Sequence, residues 1–175
     1  MKNEKAVKIT RTAVIAAMYA ALTYAQGILL PGSTTAAVQF RVSEALNVLA
    51  LFTPSAIPGL TLGCVISNLY SIGQGLPLDM IFGSIATLGA TISIHLLRNV
   101  KIKEFPLFAM LMPAVWNGVI VGWEIEAFFI EGKFHFSSFL VQGGLVALGE
   151  LGVMLTLGTL LYFACRKPQL KKYLQ

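Results

Sequence analysis

Arg98-Asn99-Val100-Lys101-Ile102-Lys103 is a basic hexapeptide set between two long apolar runs, and its placement decides how the rest of the chain must run. Outward from it, cations recur only at wide intervals. Lys2, Lys5, Lys8 and Arg11 precede the first apolar run; Arg166, Lys167, Lys171 and Lys172 follow the last. Of the 13 Lys and Arg, only Arg41 and Lys133 lie elsewhere. Basic residues flanking apolar segments are retained on the cytoplasmic side of a membrane. Six crossings put every clustered cation on that side, with both termini inside and Arg41 and Lys133 outside.

Composition agrees. The chain is 56% hydrophobic and 12% charged, with a mean hydropathy of +0.75, whereas soluble domains carry about 25% charge. Roughly 20 helical residues cross a ~30 Å hydrocarbon core. The reading is an all-α integral membrane protein. It forms a single domain over residues 1–175, with transmembrane helices at about 10–30, 41–52, 55–72, 78–97, 106–123 and 138–164. The net charge of +5 is topological and gives no basic face for nucleic acid. Cys64 and Cys165 form no CxxC pair, so neither a disulfide framework nor a metal site is expected. A signal peptide is disfavoured, because the first run is long and Gln26 to Leu30 lack a small-residue cleavage site.

Punctuation sets the connections. Pro31-Gly32-Ser33-Thr34-Thr35 lies in an outer loop whose Thr35–Val38 tolerates a short lid strand. Gly73-Gln74-Gly75-Leu76-Pro77 reads as an outer turn, and Glu124 to Ser137 as a second outer loop. Pro113 is expected to kink the fifth helix. No internal repeat is visible, which disfavours a transporter built from inverted halves.

Charges inside a membrane are costly and face a cavity or a partner. In this topology most embedded polar groups fall in the outer half: Gln26, Arg41, Glu44, Asn47, Asn68, Asp79, Trp116, Asn117, Trp123, Glu124, Gln142 and Glu150. Arg41 and Glu44 share a helix face, as a structural ion pair or as part of a site; Glu44 and Asn47 do the same. Asp79 at a helix start serves either the dipole or the site, and Trp123 either the interfacial belt or the site. Glu150, flanked by Gly149 and Gly152 in an apolar run, needs a donor, a proton or a ligand. His95 is expected near the inner surface, as an interfacial or partner-contact residue. Several carboxylates and amides with one Arg suit a donor-rich, nucleobase-like or cationic ligand, on which an indole can stack.

The first helix repeats small residues: Ala13, Ala17, Ala21 and Ala25 form one row, with Ala16 and Ala20 beside it. Small side chains let helix backbones approach, so a row docks either another membrane protein or this chain's own helices. Catalytic signatures are missing: no P-loop, no H-E-x-x-H, no G-x-S-x-G, and no His near a nucleophile. The chain is not expected to be an enzyme or to hold a cofactor. If ATP drives uptake, it is bound on another chain.

Gln39-Phe40-Arg41-Val42-Ser43-Glu44-Ala45-Leu46, then Phe52-Thr53-Pro54-Ser55-Ala56-Ile57-Pro58-Gly59-Leu60, then Asp79-Met80-Ile81-Phe82-Gly83-Ser84 and Trp116-Asn117-Gly118 resemble the QueT family over nearly the whole chain. That family comprises substrate-binding S components of energy-coupling factor (ECF) transporters. The resemblance implies six helices, an outward site closed by the first outer loop, and uptake of a queuosine precursor, a 7-deazaguanine such as the 7-aminomethyl or 7-cyano form. It implies a coupling membrane subunit and two cytoplasmic ATPases as partners, in a bacterial plasma membrane. Docking through A-x-x-x-A maps to Ala13, Ala17 and Ala21, and transport to toppling of the whole component. The residues expected around the ligand are Gln39, Arg41, Glu44, Asn68, Trp116, Asn117, Glu124, Gln142 and Glu150. Two other classes stay open: a self-sufficient channel or proton-coupled carrier using Glu150, and, disfavoured, a membrane enzyme.

Overall fold

A computed structural model describes residues 2–33, 39–73 and 78–170 of the chain. The expected lid strand at Thr35–Val38 and most of the Gly73–Pro77 turn lie outside those residues. Helix α1 spans Lys2–Leu29, a 3-10 helix Val42–Leu51, α2 Ala56–Gly73, α3 Asp79–Leu96 and α4 Leu107–Glu124. Helix α4 continues as a π-turn, Ile125–Phe129; α5 (Phe136–Val153) runs through a second π-turn, Met154–Gly158, into α6 (Thr159–Cys165). Among the described residues, four stretches are long and apolar enough to cross a membrane: Asn3–Leu29, Asp79–Asn99, Leu107–Phe129 and Phe136–Cys165. Val42–Leu51 and Ala56–Leu69 are apolar but shorter.

Three boundaries differ from expectation. Helix α1 starts at Lys2 because nothing in the basic segment breaks a helix, and Glu4 in its first turn suits the dipole. The chain stays helical past Trp123 to Phe129, which lifts Glu124 and Glu126 out of the expected loop and into the bundle. The third difference is the largest. Residues 42–51 form a 10-residue 3-10 helix, although such runs seldom exceed about four residues. At ~2.0 Å rise per residue it covers ~20 Å, against ~15 Å for an α-helix of that length. Ser43 through Ala50 are all buried, and the segment touches each of α1 to α6. The segment is thus enclosed by the rest of the bundle.

The bundle is apolar outside and polar within. Val14, Met18, Ile66, Val119, Leu148 and Leu160 are exposed, while Arg41, Glu44, Asn47, Glu124 and Glu150 are buried. Apolar packing is concentrated around Tyr19, Leu46, Leu60 and Ile94, and around Val48, Met110, Met154 and Tyr162. Between helices, close approach replaces large side chains. A Cβ on Gly63 of α2 would stand 2.9 Å from the Ala16 carbonyl of α1, and one on Gly122 of α4 would stand 2.5 Å from Gly143 Cα of α5.

The two ends are chemically distinct. At one end His95 Nδ1–H donates to Ala50 O (2.8 Å), and Tyr162 OH donates to Glu104 O (3.1 Å). These bonds gather the ends of the 3-10 helix, α3 and α6 around the basic turn, where Lys103 and Glu104 adopt φ of 46° and 70°. The opposite end collects Gln26, Arg41, Asn68 and Asp79.

Candidate ligand-binding site

Arg41 stands at the head of the 3-10 helix. Its Nη2 donates to both oxygens of Asp79, at 3.0 and 2.8 Å, with each residue 8% exposed. Asp79 opens α3, so the pair ties the central helix to α3. Asn68, near the end of α2, completes the junction by donating to the Asp79 carbonyl at 2.9 Å. Gly83 makes room for it: a Cβ there would lie 3.2 Å from Asn68 Nδ2 and 3.3 Å from Asp79 Oδ1. The ion pair expected within one helix is instead a clamp between two, and Glu44 is left to other partners.

Glu44 is fully enclosed. Its Oε1 accepts from Tyr19 OH of α1, and its Oε2 accepts from Asn47 Nδ2 one turn on. Beside it Thr23 Oγ1 donates to Ser43 Oγ at 2.8 Å. Gln26 then holds the chain entering the 3-10 helix. Its amide donates to Ser33 Oγ (2.9 Å) and to the Phe40 carbonyl, and its Oε1 accepts from Val42 N–H (2.7 Å).

That entering strand of chain lies on α5. A Cβ on Gly149 would stand 2.0 Å from Gln39 O, and one on Gly152 would stand 3.2 Å from the Phe40 ring. Gly149 and Gly152 lie on one face of α5 and therefore seat residues 39–40 against the turn that carries Glu150. Any side chain at 149 would displace the backbone above.

In the same half of the bundle several buried acceptors lack partners. Both oxygens of Glu124, one of Glu150, Asn47 Oδ1 and Ser84 Oγ are buried without a hydrogen bond. Glu124 lies in the field of Asp79 and Arg41, and Glu150 in that of Glu44 and Arg41. Arg41 is the single buried cation among the described residues, against buried Glu44, Asp79, Glu124, Glu126 and Glu150. Since Asp79 already engages it in two bonds, Glu124 and Glu150 are left short of positive charge and of donors. An unsatisfied buried acceptor costs about 1–3 kcal/mol, and more when charged. A ligand that supplies N–H groups or a cation recovers that cost.

Other expected residues sit elsewhere or are occupied. Trp116 Nε1–H donates to Ser93 Oγ (2.9 Å), and its ring fills the slot left by Gly89, at the α3–α4 contact. Asn117 is buried and donates to the Pro113 carbonyl one turn back (3.0 Å). Gln142 is half-buried beside Gly143, where α5 meets α4. Glu126 Oε1 accepts from His135 N–H (2.9 Å) and so braces the entry to α5. Tyr19 escaped the sequence reading; a Tyr in the middle of an apolar span is a usable signal, because its hydroxyl must find a partner. The alanine rows separate: Ala16 and Ala20 are buried, while Ala13, Ala17, Ala21 and Ala25 face outward. Among the described residues no three His, Cys, Asp or Glu converge to hold a metal ion.

The family model described as QueT transporter matches residues 9–167. The Queuosine precursor transporter QueT of Lactococcus lactis subsp. cremoris (strain MG1363) is 34% identical over 160 residues, covering 91% of this chain and 85% of the relative. No solved structure matches. The family and this relative are transporters, which accords with the catalytic signatures missing from the sequence.

Proposed function

The chain belongs to the QueT transporter family, and from that premise we propose that it is the substrate-binding subunit of an ATP-driven ECF-type uptake system for a queuosine precursor. In this reading six helical segments cross or enter a bacterial plasma membrane, with both termini and the Arg98–Lys103 turn inside. The Arg41–Asp79 end then faces out. Residues 39–40 close the site, and Glu44, Glu124 and Glu150 receive the ring N–H, amino and aminomethyl donors of a 7-deazaguanine. The observation that carries this is the pair Glu124 and Glu150: buried carboxylates with unpaired oxygens, Glu150 in the α5 turn against which residues 39–40 are seated.

The sequence carries no ATP-binding loop, so in this reading ATP is used on other chains, a coupling membrane subunit with two ATPases. The outward-facing Ala13, Ala17 and Ala21 are the surface left for that docking, with toppling of the loaded subunit as the transport step. Titration of the purified chain with 7-aminomethyl-7-deazaguanine, 7-cyano-7-deazaguanine and guanine tests the ligand. Proteoliposome uptake with and without the ATPase module tests the coupling. Absence of binding to every deazaguanine overturns the substrate assignment. Uptake by this chain alone overturns the subunit role and favours a self-sufficient carrier.

A further inference from the structure

At the end opposite the candidate site lies a crevice of about 500 Å³, lined by Leu51, Phe52, Arg98, Lys101, Tyr162 and Arg166 among others. Its floor is apolar or aromatic: Tyr162 is buried, and Leu51 and Phe52 are half-buried. Its rim is cationic and exposed. Arg98 Nη1 donates to the His95 carbonyl at 2.7 Å, which holds the guanidinium at the mouth. Arg166 lies 5.6 Å from the Tyr162 ring centroid. Its carboxylate partner, Glu104, is 3.4 Å away and 81% exposed, so that pair is loose and water-screened.

The surroundings choose between possible anions. Val100 and Ile102 alternate with Lys101 and Lys103 along the turn and are 44% and 45% exposed; Leu96 and Phe163 beside it are 71% and 53% exposed. Cations interleaved with bare apolar side chains belong where hydrocarbon meets headgroups. A soluble anion would engage the cations and leave the apolar surface idle. An acidic protein segment would leave the exposed Leu96 and Phe163 flanks without acyl-like partners.

We propose that this crevice binds the headgroup of an anionic phospholipid, its phosphodiester held by Arg98, Lys101 and Arg166 and its acyl chains lying along Leu96 and Phe163. The site is separate from the ligand site and depends only on the chain's residence in a membrane. Native mass spectrometry of the full chain, released from detergent holding equimolar phosphatidylglycerol and phosphatidylcholine, tests it. Wild type retains phosphatidylglycerol selectively. R98Q/K101Q/R166Q loses that retention by about fivefold per cation, ~100-fold in all, while K5Q/K8Q, which removes two cations of α1 that do not line the crevice, keeps it. If the triple variant does not fold, K101Q alone decides, with about a fivefold loss expected. Equal retention of the two lipids overturns the proposal, as does unchanged retention by the variants or an equal loss in K5Q/K8Q. Displacement by millimolar inorganic phosphate would make it a soluble-anion site, and loss of partner assembly with lipid retained would make it a protein contact; either outcome also overturns it.

Discussion

Replacing Glu124 by Gln exchanges a carboxyl group, whose two oxygens have no partner in the structure, for a neutral amide. The change is nearly isosteric, so the α4 turn that carries it is undisturbed. A hydrogen bond to a charged acceptor contributes about 1.5–3 kcal/mol and a neutral one about 1 kcal/mol. The variant should therefore lose about 1.4 kcal/mol of ligand binding, or tenfold in Kd, and more if both oxygens are engaged. Ligand at 100 times the wild-type Kd stabilises wild type by ~2.7 kcal/mol; the same concentration stabilises the variant by only ~1.4 kcal/mol. Thermal-shift measurements in detergent with 7-aminomethyl-7-deazaguanine should show the ligand-induced rise in Tm cut to about half. Ligand-free Glu124→Gln should melt no lower than wild type, because an unpaired neutral group replaces an unpaired acid. An undiminished ligand-induced shift would refute the assignment of Glu124 to the ligand, and a large drop in ligand-free Tm would show that it is structural.

Glu150→Gln, read by the same titration, is expected to weaken binding about tenfold. Gly149→Ala should push residues 39–40 off α5; overpacking of this kind costs about 1–3 kcal/mol, and the readout is weaker ligand binding with unchanged helical circular dichroism. Arg41→Lys replaces a two-bond clamp with a point charge and leaves Asp79 under-bonded, so denaturation should show a loss of about 1.5–3 kcal/mol. Ala13→Leu/Ala17→Leu bulks an outward face, so binding by the isolated chain should be unaltered while ATPase-driven uptake in proteoliposomes falls at least about tenfold.

Hydropathy and the cation intervals located the long spans well, because a hydrocarbon solvent enforces both signals residue by residue. Asp79–Leu96 and Leu107–Glu124 fall within a residue or two of the positions expected from composition. The 3-10 helix was not legible. Val42–Leu51 has ordinary helical residues, and only its enclosure by six neighbours makes the narrower helix fit. The Arg41 partner was misplaced for a related reason: spacing of three advertised Glu44, whereas Asp79, 38 positions away, is reached only through tertiary packing. Trp116 looked like a stacking platform because a buried indole needs a partner; Gly89 and Ser93 supply it, and nothing in the sequence links them. Glu150 was legible because its two glycines are anomalous beside a carboxylate, although the backbone they admit could be found only in three dimensions.

The glycine seam between α4 and α5 inverts the usual tolerance map. In a water-soluble domain the interior rejects polar replacements and the surface accepts nearly anything. Here Gly122 and Gly143 leave no space for even a methyl group, while Leu148 or Leu160 on the rim could be exchanged for any side chain that lipid will dissolve. A saturation screen of this chain should register bulk as the lethal property inside and charge as the lethal property outside, so a variant scored by core hydrophobicity alone would be ranked backwards.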